Sequence, residues 1–139
     1  MVKAYNIIAL FDATGEKLLL CRRRKEPFKG LLNLVGGKIE PGEDGLAAAY
    51  RELEEETGVT RADATLTHLM DFTYPFWDCR VEAYAGRLKG AFEVVEEVNE
   101  LIWSSLQHDF SDVTKYAGHG KIAHVLALIK VHEDVLFGA

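Results

Sequence analysis

Glu52, Glu54, Glu55 and Glu56 place four carboxylates in five consecutive positions, and this crowding is the most reactive feature of the chain. On a helix, Glu52 stands three residues before Glu55 and four before Glu56, so these three side chains share one face. Like charges at that spacing each cost roughly 0.2–0.5 kcal/mol. They also crowd the last turn before Gly58, a C-capping residue type, where the helix dipole disfavours anions. Arg51 is the only cation among them. Carboxylates set against their own electrostatics need a partner, and for clustered hard oxygens that partner is a divalent cation such as Mg2+, with Mn2+ as a substitute.

The elements around the cluster must hold it in place. Asp44 is a good N-cap, and the pattern predicts a helix from there through Thr57. Leu46, Ala49, Tyr50 and Leu53 form its apolar stripe, adjacent to the acidic face, so the carboxylates are expected at the edge of a cleft. Before it come an apolar run over 31–35, the Gly36-Gly37 pair, and a loop at Glu40-Pro41-Gly42-Glu43. Strands are expected over 4–11, 18–21, 64–72 and 101–103. A half-buried strand over 77–85 has Trp77, Cys79, Val81, Ala83 and Ala85 alternating with polar neighbours. Ile122, Val125, Leu126 and Ile129 follow helical spacing. Two helices among several strands imply an α/β fold, a sandwich around a mixed sheet.

At 139 residues the chain is expected to be a single domain, 1–139. Hydrophobic residues make up 48% and charged residues 27%, the balance of a soluble globular protein. Two cysteines are too few for a disulfide framework, and buried free thiols follow. The apolar N-terminal run is too short for a signal sequence, and no stretch reaches membrane-spanning length. A reduced, cytoplasmic setting without membrane contact is therefore expected. The net charge of −6 argues against binding long nucleic acid. Arg22, Arg23, Arg24, Lys25, Lys29 and Lys38 nevertheless cluster ahead of the acidic helix. That patch suits either a solvated strand end or a small polyanion.

Written as a pattern, the segment is Gly37, five residues, Glu43, seven residues, then Arg51-Glu52-Leu53-Glu54-Glu55-Glu56-Thr57-Gly58-Val59. It resembles the Nudix box, G-x5-E-x7-R-E-U-x-E-E-x-G-U with U aliphatic, at every specified position. The resemblance implies a Nudix-type α/β/α sandwich and metal-dependent hydrolysis of a nucleoside diphosphate linked to another moiety, a small-molecule nucleotide substrate, by a monomer or homodimer. It places metal ligands at Glu52, Glu55, Glu56 and the backbone carbonyl of Gly36. A further glutamate from a later loop often joins them, and here Glu97 and Glu100 are the candidates. Glu100 is chosen because it stands three residues before Trp103 at the mouth of a short strand. Glu52, Glu55 and Arg51 are assigned to catalysis, with Arg51 and Glu43 orienting the carboxylates through bidentate hydrogen bonds.

For the substrate, Leu32-Asn33-Leu34-Val35-Gly36-Gly37-Lys38 after the basic strand end looks like the matching stretch of MutT-like enzymes acting on oxidised purine nucleoside triphosphates. In that group an asparagine at the position of Asn33 reads the base edge. The plainer reading of Asn33 is a turn residue satisfying its own backbone. Arg23, Arg24 and Lys38 are the phosphate-binding candidates. Pro75, sixteen residues after Val59, is a loose mark of the ADP-ribose-cleaving group and also simply a break between strands. A nucleotide-sensing module without turnover is a third possibility, set against the intact glutamate set. An isomerase acting on isoprenyl diphosphate lacks a suitably placed cysteine here. Phe76 and Trp77 can stack on a base, although Trp77 falls on the apolar side of its strand and Trp103 also reads as core. His119, between two glycines, reads as a solvated loop residue.

Overall fold

The computed structural model describes residues 3–26, 28–74, 78–96, 99–118 and 120–137. Pro75, Phe76, Trp77, Glu97 and His119 lie outside the described residues. The strands are β1 (Lys3–Phe11), β2 (Lys17–Arg22), β3 (Leu32–Leu34), β4 (Ala64–Tyr74), β5 (Cys79–Leu88) and β6 (Leu101–Ser105). The helices are α1 (Gly45–Thr57), α2 (Lys121–Val131) and α3 (Glu133–Phe137). One mixed sheet runs β3-β2-β1-β5-β4, with β6 paired to β2. β1 and β5 are parallel in register from Lys3–Cys79 to Phe11–Arg87. The other named pairings are antiparallel.

Alternation along β1 sends its side chains to two cores. Ile7, Ala9 and Phe11 pack with Ile122, Val125 and Ile129 of α2. Ile8 and Leu10 pack with Ala49 and Leu53 of α1. Helices thus cover both faces of the sheet, giving the α/β/α sandwich. β5 corrects the expectation of a half-buried strand. It lies inside the sheet between β1 and β4 and is buried on both faces, Val81, Ala83 and Ala85 toward α2 and Tyr84 toward α1. The alternation in its sequence records two different cores, one apolar and one with a polar edge. Trp103 packs against the α1-side core from its margin. It is half-buried and lines an open groove with Phe92 and Val94. The short α3 adds a third helix to the two expected.

α1 is bounded by its own sequence. Asp44 Oδ2 accepts the Ala47 N–H at 3.1 Å, and Gly58 closes the helix in the left-handed region with φ 82°. Inside the last turn, Thr57 Oγ1 donates to the Leu53 carbonyl at 2.6 Å and accepts the Val59 N–H at 3.1 Å. Leu53 and Val59 are fully buried and fix the acidic face relative to the sheet.

Candidate functional site

The chain after β3 runs along the edge of β1. Ile8 N–H donates to the Val35 carbonyl, Asn6 N–H to the Gly37 carbonyl, and Ile39 N–H to the Ala4 carbonyl, at 2.8, 2.8 and 2.9 Å. This seats Gly36 and Gly37 between β1 and α1. Gly36 has φ 149°, a conformation favouring glycine, and a Cβ there would overlap the Asn6 carbonyl oxygen. At Gly37 a Cβ would overlap the Glu52 carboxylate, meeting Oε1 at 2.7 Å. The two glycines therefore let the backbone approach the acidic face of α1.

The expected trio divides by exposure. Glu52 and Glu56 are 14% and 9% exposed, whereas Glu55 is 57% exposed. Arg51 gathers the outer groups. Its Nε and Nη2 donate to Glu43 Oε2 and Oε1 at 2.8 and 2.9 Å, so its bidentate bond goes to the loop glutamate and not to a helix carboxylate. Nη1 donates to Glu52 Oε1 at 3.0 Å and reaches Glu55 at 3.4 Å, while Nη2 also donates to the Lys38 carbonyl at 3.0 Å. Glu43 is held down at about 2 by the Arg51 hydrogen bonds. Glu52 is pushed up by burial, against the pull of Arg51.

Glu56 lies outside the reach of that guanidinium. Burial, then the Glu52 charge, raises its pKa to about 7, opposed by a hydrogen bond from the Gly36 N–H and by the charge of Arg23. Its Oε2 is buried without a hydrogen-bond partner. A buried carboxylate oxygen in that condition carries a desolvation cost of several kcal/mol, which a bound cation or a proton relieves. With Glu52 beside it, oxygen donors throughout and Gly36 backbone at hand, the residues fit a hard divalent ion. Cys21 adds nothing nucleophilic, since burial and Glu56 push its thiol up to about 12.

The remaining sequence candidates are distributed as follows. Arg23 is half-buried just after β2, and its charge acts on Glu56 as it does on Cys21 and Lys121. Arg24 is exposed in the connection between β2 and β3. Lys38 contributes its carbonyl to Arg51 and leaves its side chain exposed. Asn33 Oδ1 accepts the Leu34 N–H at 2.9 Å, the local backbone contact of the plainer reading. Glu100 is 55% exposed and pairs with Arg22 Nε at 2.9 Å, so the structure brings it to the basic strand end.

Two features escaped the sequence reading. Asn6 is buried within a run read only as an apolar strand, where a lone amide was the available signal. His68, Asp71 and Glu82 form a second polar cluster, with one ligand atom of each within 4.8 Å of the others. No sequence spacing announces it, because β4 and β5 bring it together across the sheet.

The NUDIX domain model matches residues 2–126. An ADP-ribose pyrophosphatase of Bacillus subtilis is 31% identical over 103 residues, 73% of this chain and 54% of that protein. An 8-oxo-dGTP diphosphatase of Haemophilus influenzae is 38% identical over 61 residues, 44% of this chain and 45% of that protein. The chain spans about half the length, or less, of these curated relatives. A C. elegans Ap4A hydrolase structure superposes with TM-score 0.76 at 20% identity, over 97% of this chain and 100% of that one, and shows the shared fold.

Proposed function

The chain belongs to the Nudix family, and on that premise we propose that it hydrolyses the pyrophosphate linkage of nucleoside diphosphate derivatives, in particular a nucleoside triphosphate to monophosphate and pyrophosphate. The observation that carries this reading is the buried, unpartnered Oε2 of Glu56 beside Glu52 and the Gly36 backbone. Glu52, Glu55, Glu56 and the Gly36 carbonyl would hold Mg2+, or Mn2+ in its place. Bound there, the ion neutralises charge on the phosphate oxygens during transfer. Glu100 joins this set only by leaving Arg22.

The chain's own residues do the rest. Arg51 fixes the rotamers of Glu52 and Glu55 and keeps Glu43 ionised at the loop side. Glu52 or the exposed Glu55 takes the proton of the water that attacks phosphorus as the bridging P–O bond breaks. Arg23, Arg24 and Lys38 bind phosphate oxygens. Asn33, with Oδ1 occupied by Leu34, presents its NH2 group to an acceptor on the base edge. The 8-oxo-dGTP diphosphatase relative supports this substrate class. ADP-ribose is the second reading, favoured by the B. subtilis relative that aligns across 73% of the chain. Residues 1–139 act as one cytoplasmic domain, as monomer or homodimer. Among the described residues no helix is long and apolar enough to cross a membrane.

The test is a turnover screen with Mg2+ over canonical and oxidised nucleoside triphosphates, ADP-ribose and dinucleoside polyphosphates, with products identified. Release of monophosphate plus pyrophosphate supports the first reading, and AMP plus ribose phosphate the second. Nucleotide binding without turnover under Mg2+ or Mn2+ replaces both with a sensing module.

A further inference from the structure

Asn6 is 2% exposed on β1, in a strand whose inward positions are otherwise apolar. Its two polar ends have opposite fates. Oδ1 accepts the Gly37 N–H at 2.9 Å, while Nδ2 is buried without a hydrogen-bond partner. In an antiparallel ladder a residue that donates its N–H to a partner's carbonyl receives the partner's N–H on its own carbonyl. Here Asn6 N–H donates to the Gly37 carbonyl, but the return bond goes to the side-chain amide. Gly36 packs closely against this step, since a Cβ there would overlap the Asn6 main-chain oxygen and crowd Oδ1. The side chain thus completes a ladder step that the backbone cannot close.

Gly37 is consequently gripped on two sides, by Asn6 and by the Glu52 carboxylate. Gly36, one residue back, presents its N–H to Glu56. Asn6 Nδ2 and Glu56 Oε2 are the two buried, unpartnered side-chain atoms among the described residues, and both residues touch Gly36. An amide left half-satisfied in a core is unfavourable for folding, and an apolar β-branched residue suits a buried strand better. What Asn6 serves is therefore the Gly36–Gly37 turn more than the strand it stands in.

We infer that Asn6 is a positioning residue whose side-chain amide holds the Gly36–Gly37 turn against Glu52 and Glu56, setting the geometry in which α1 binds its metal. This rests on the metal-binding reading above, and outer partners that orient ligands change metal affinity by roughly 10- to 100-fold. The test compares Asn6→Val and Asn6→Thr, which match in size and suit a strand. Only threonine keeps an oxygen that can accept the Gly37 N–H. Mn2+ affinity of the full-length, metal-stripped protein is measured by electron paramagnetic resonance, alongside thermal unfolding and kinetics with the substrate found in the screen.

Asn6→Val is expected to weaken Mn2+ binding roughly tenfold or more, with Asn6→Thr between it and the wild type. kcat is expected to fall in the same order, with melting temperatures close together. Equal Mn2+ affinity in all three proteins overturns the inference, as does an equal loss in both variants, which points to size alone. A lower melting temperature at unchanged affinity also overturns it. If Asn6→Val does not fold, an intermediate affinity in Asn6→Thr supports the role and a wild-type value rejects it. A wild type that binds no Mn2+ removes the underlying reading itself, a result distinct from all of these.

Discussion

Towards the C-terminal end of α1, Glu52 and Glu55 gather around Arg51, and Glu56 lies buried beyond it. Against its first residue, Gly45, Glu82 gathers with His68, Asp71, Arg80 and Tyr84. Both clusters contain three groups able to bind a metal, yet they are finished differently. In the second, Tyr84 Oη donates to Glu82 Oε1 at 2.6 Å, Arg80 Nη2 donates to Oε2 at 2.9 Å, and His68 Nε2 pairs with Asp71 Oδ1 at 2.7 Å. Each carboxylate there has a side-chain donor. In the first, one guanidinium is shared among Glu43, Glu52 and Glu55, and Glu56 has only the Gly36 N–H, with Oε2 left unpartnered. A shortage of donors, more than the number of carboxylates, is what marks a cation site.

Glu56→Gln tests this contrast most severely. Catalysis is expected to fall by roughly 100-fold or more, the scale of losing one electrostatic anchor at a reacting centre. Stability without metal is expected to move the other way. Burial and the Glu52 charge push Glu56 from the ordinary 4.5 up to about 7, so the folded state holds its proton more tightly. Its stabilising contribution is full below about pH 4.5 and is lost as pH rises through 7. The swing is about 3 kcal/mol at most. Metal-free wild type should therefore melt progressively lower between pH 5 and about 8, whereas Glu56→Gln should lose most of that slope. A variant that unfolds at ordinary temperature would make the helix acids structural and end the contrast.

The neighbouring glycines offer a smaller, sharper effect. In Gly37→Ala the new methyl meets the end of a flexible side chain, Glu52, which can swing aside. Melting should barely change, while Mn2+ affinity and kcat fall roughly tenfold. In Gly36→Ala the methyl meets the Asn6 backbone at φ 149°, where nothing can swing. That strain costs about 1–3 kcal/mol and should lower the melting temperature itself. If both variants lose stability equally, the division between a fold-facing and a site-facing glycine is wrong.

The same division explains what was legible in the sequence. Glu52, Glu55 and Glu56 lie on one helix, so spacing placed them on one face, the motif added Arg51 and Glu43, and Asp44 and Gly58 marked the ends of that helix. Asn6 stands thirty-one residues from Gly37, and the bond between them depends on how the segment after β3 lies along β1. The β5 pattern failed for a related reason. Period-two alternation reports that two faces differ, and it cannot tell solvent from a second core. Glu100 was chosen from its place beside a strand, and its pairing with Arg22 comes from the antiparallel register of β2 with β6. Long-range pairing decides such cases, and no local spacing encodes it.

Glu82→Gln should have the smallest effect, and that small effect is its value. Glutamine keeps an oxygen for the Tyr84 hydroxyl and loses the ion pair with Arg80, which is partly exposed and can turn to water. Stability should change by about 0–1 kcal/mol. With no role in the reaction, kcat should stay within about threefold, less than 1 kcal/mol on the barrier. The same sample allows a stricter check on the wild type. As Mn2+ is added stoichiometrically, broadening of proton resonances should begin at the residues around Gly36 and Glu56 and leave the His68 imidazole sharp. Early broadening of His68, or a large loss of activity in Glu82→Gln, would mean that a cluster with every carboxylate paired still captures the ion. The rule drawn from the two ends of α1 would then fail at its clearest case.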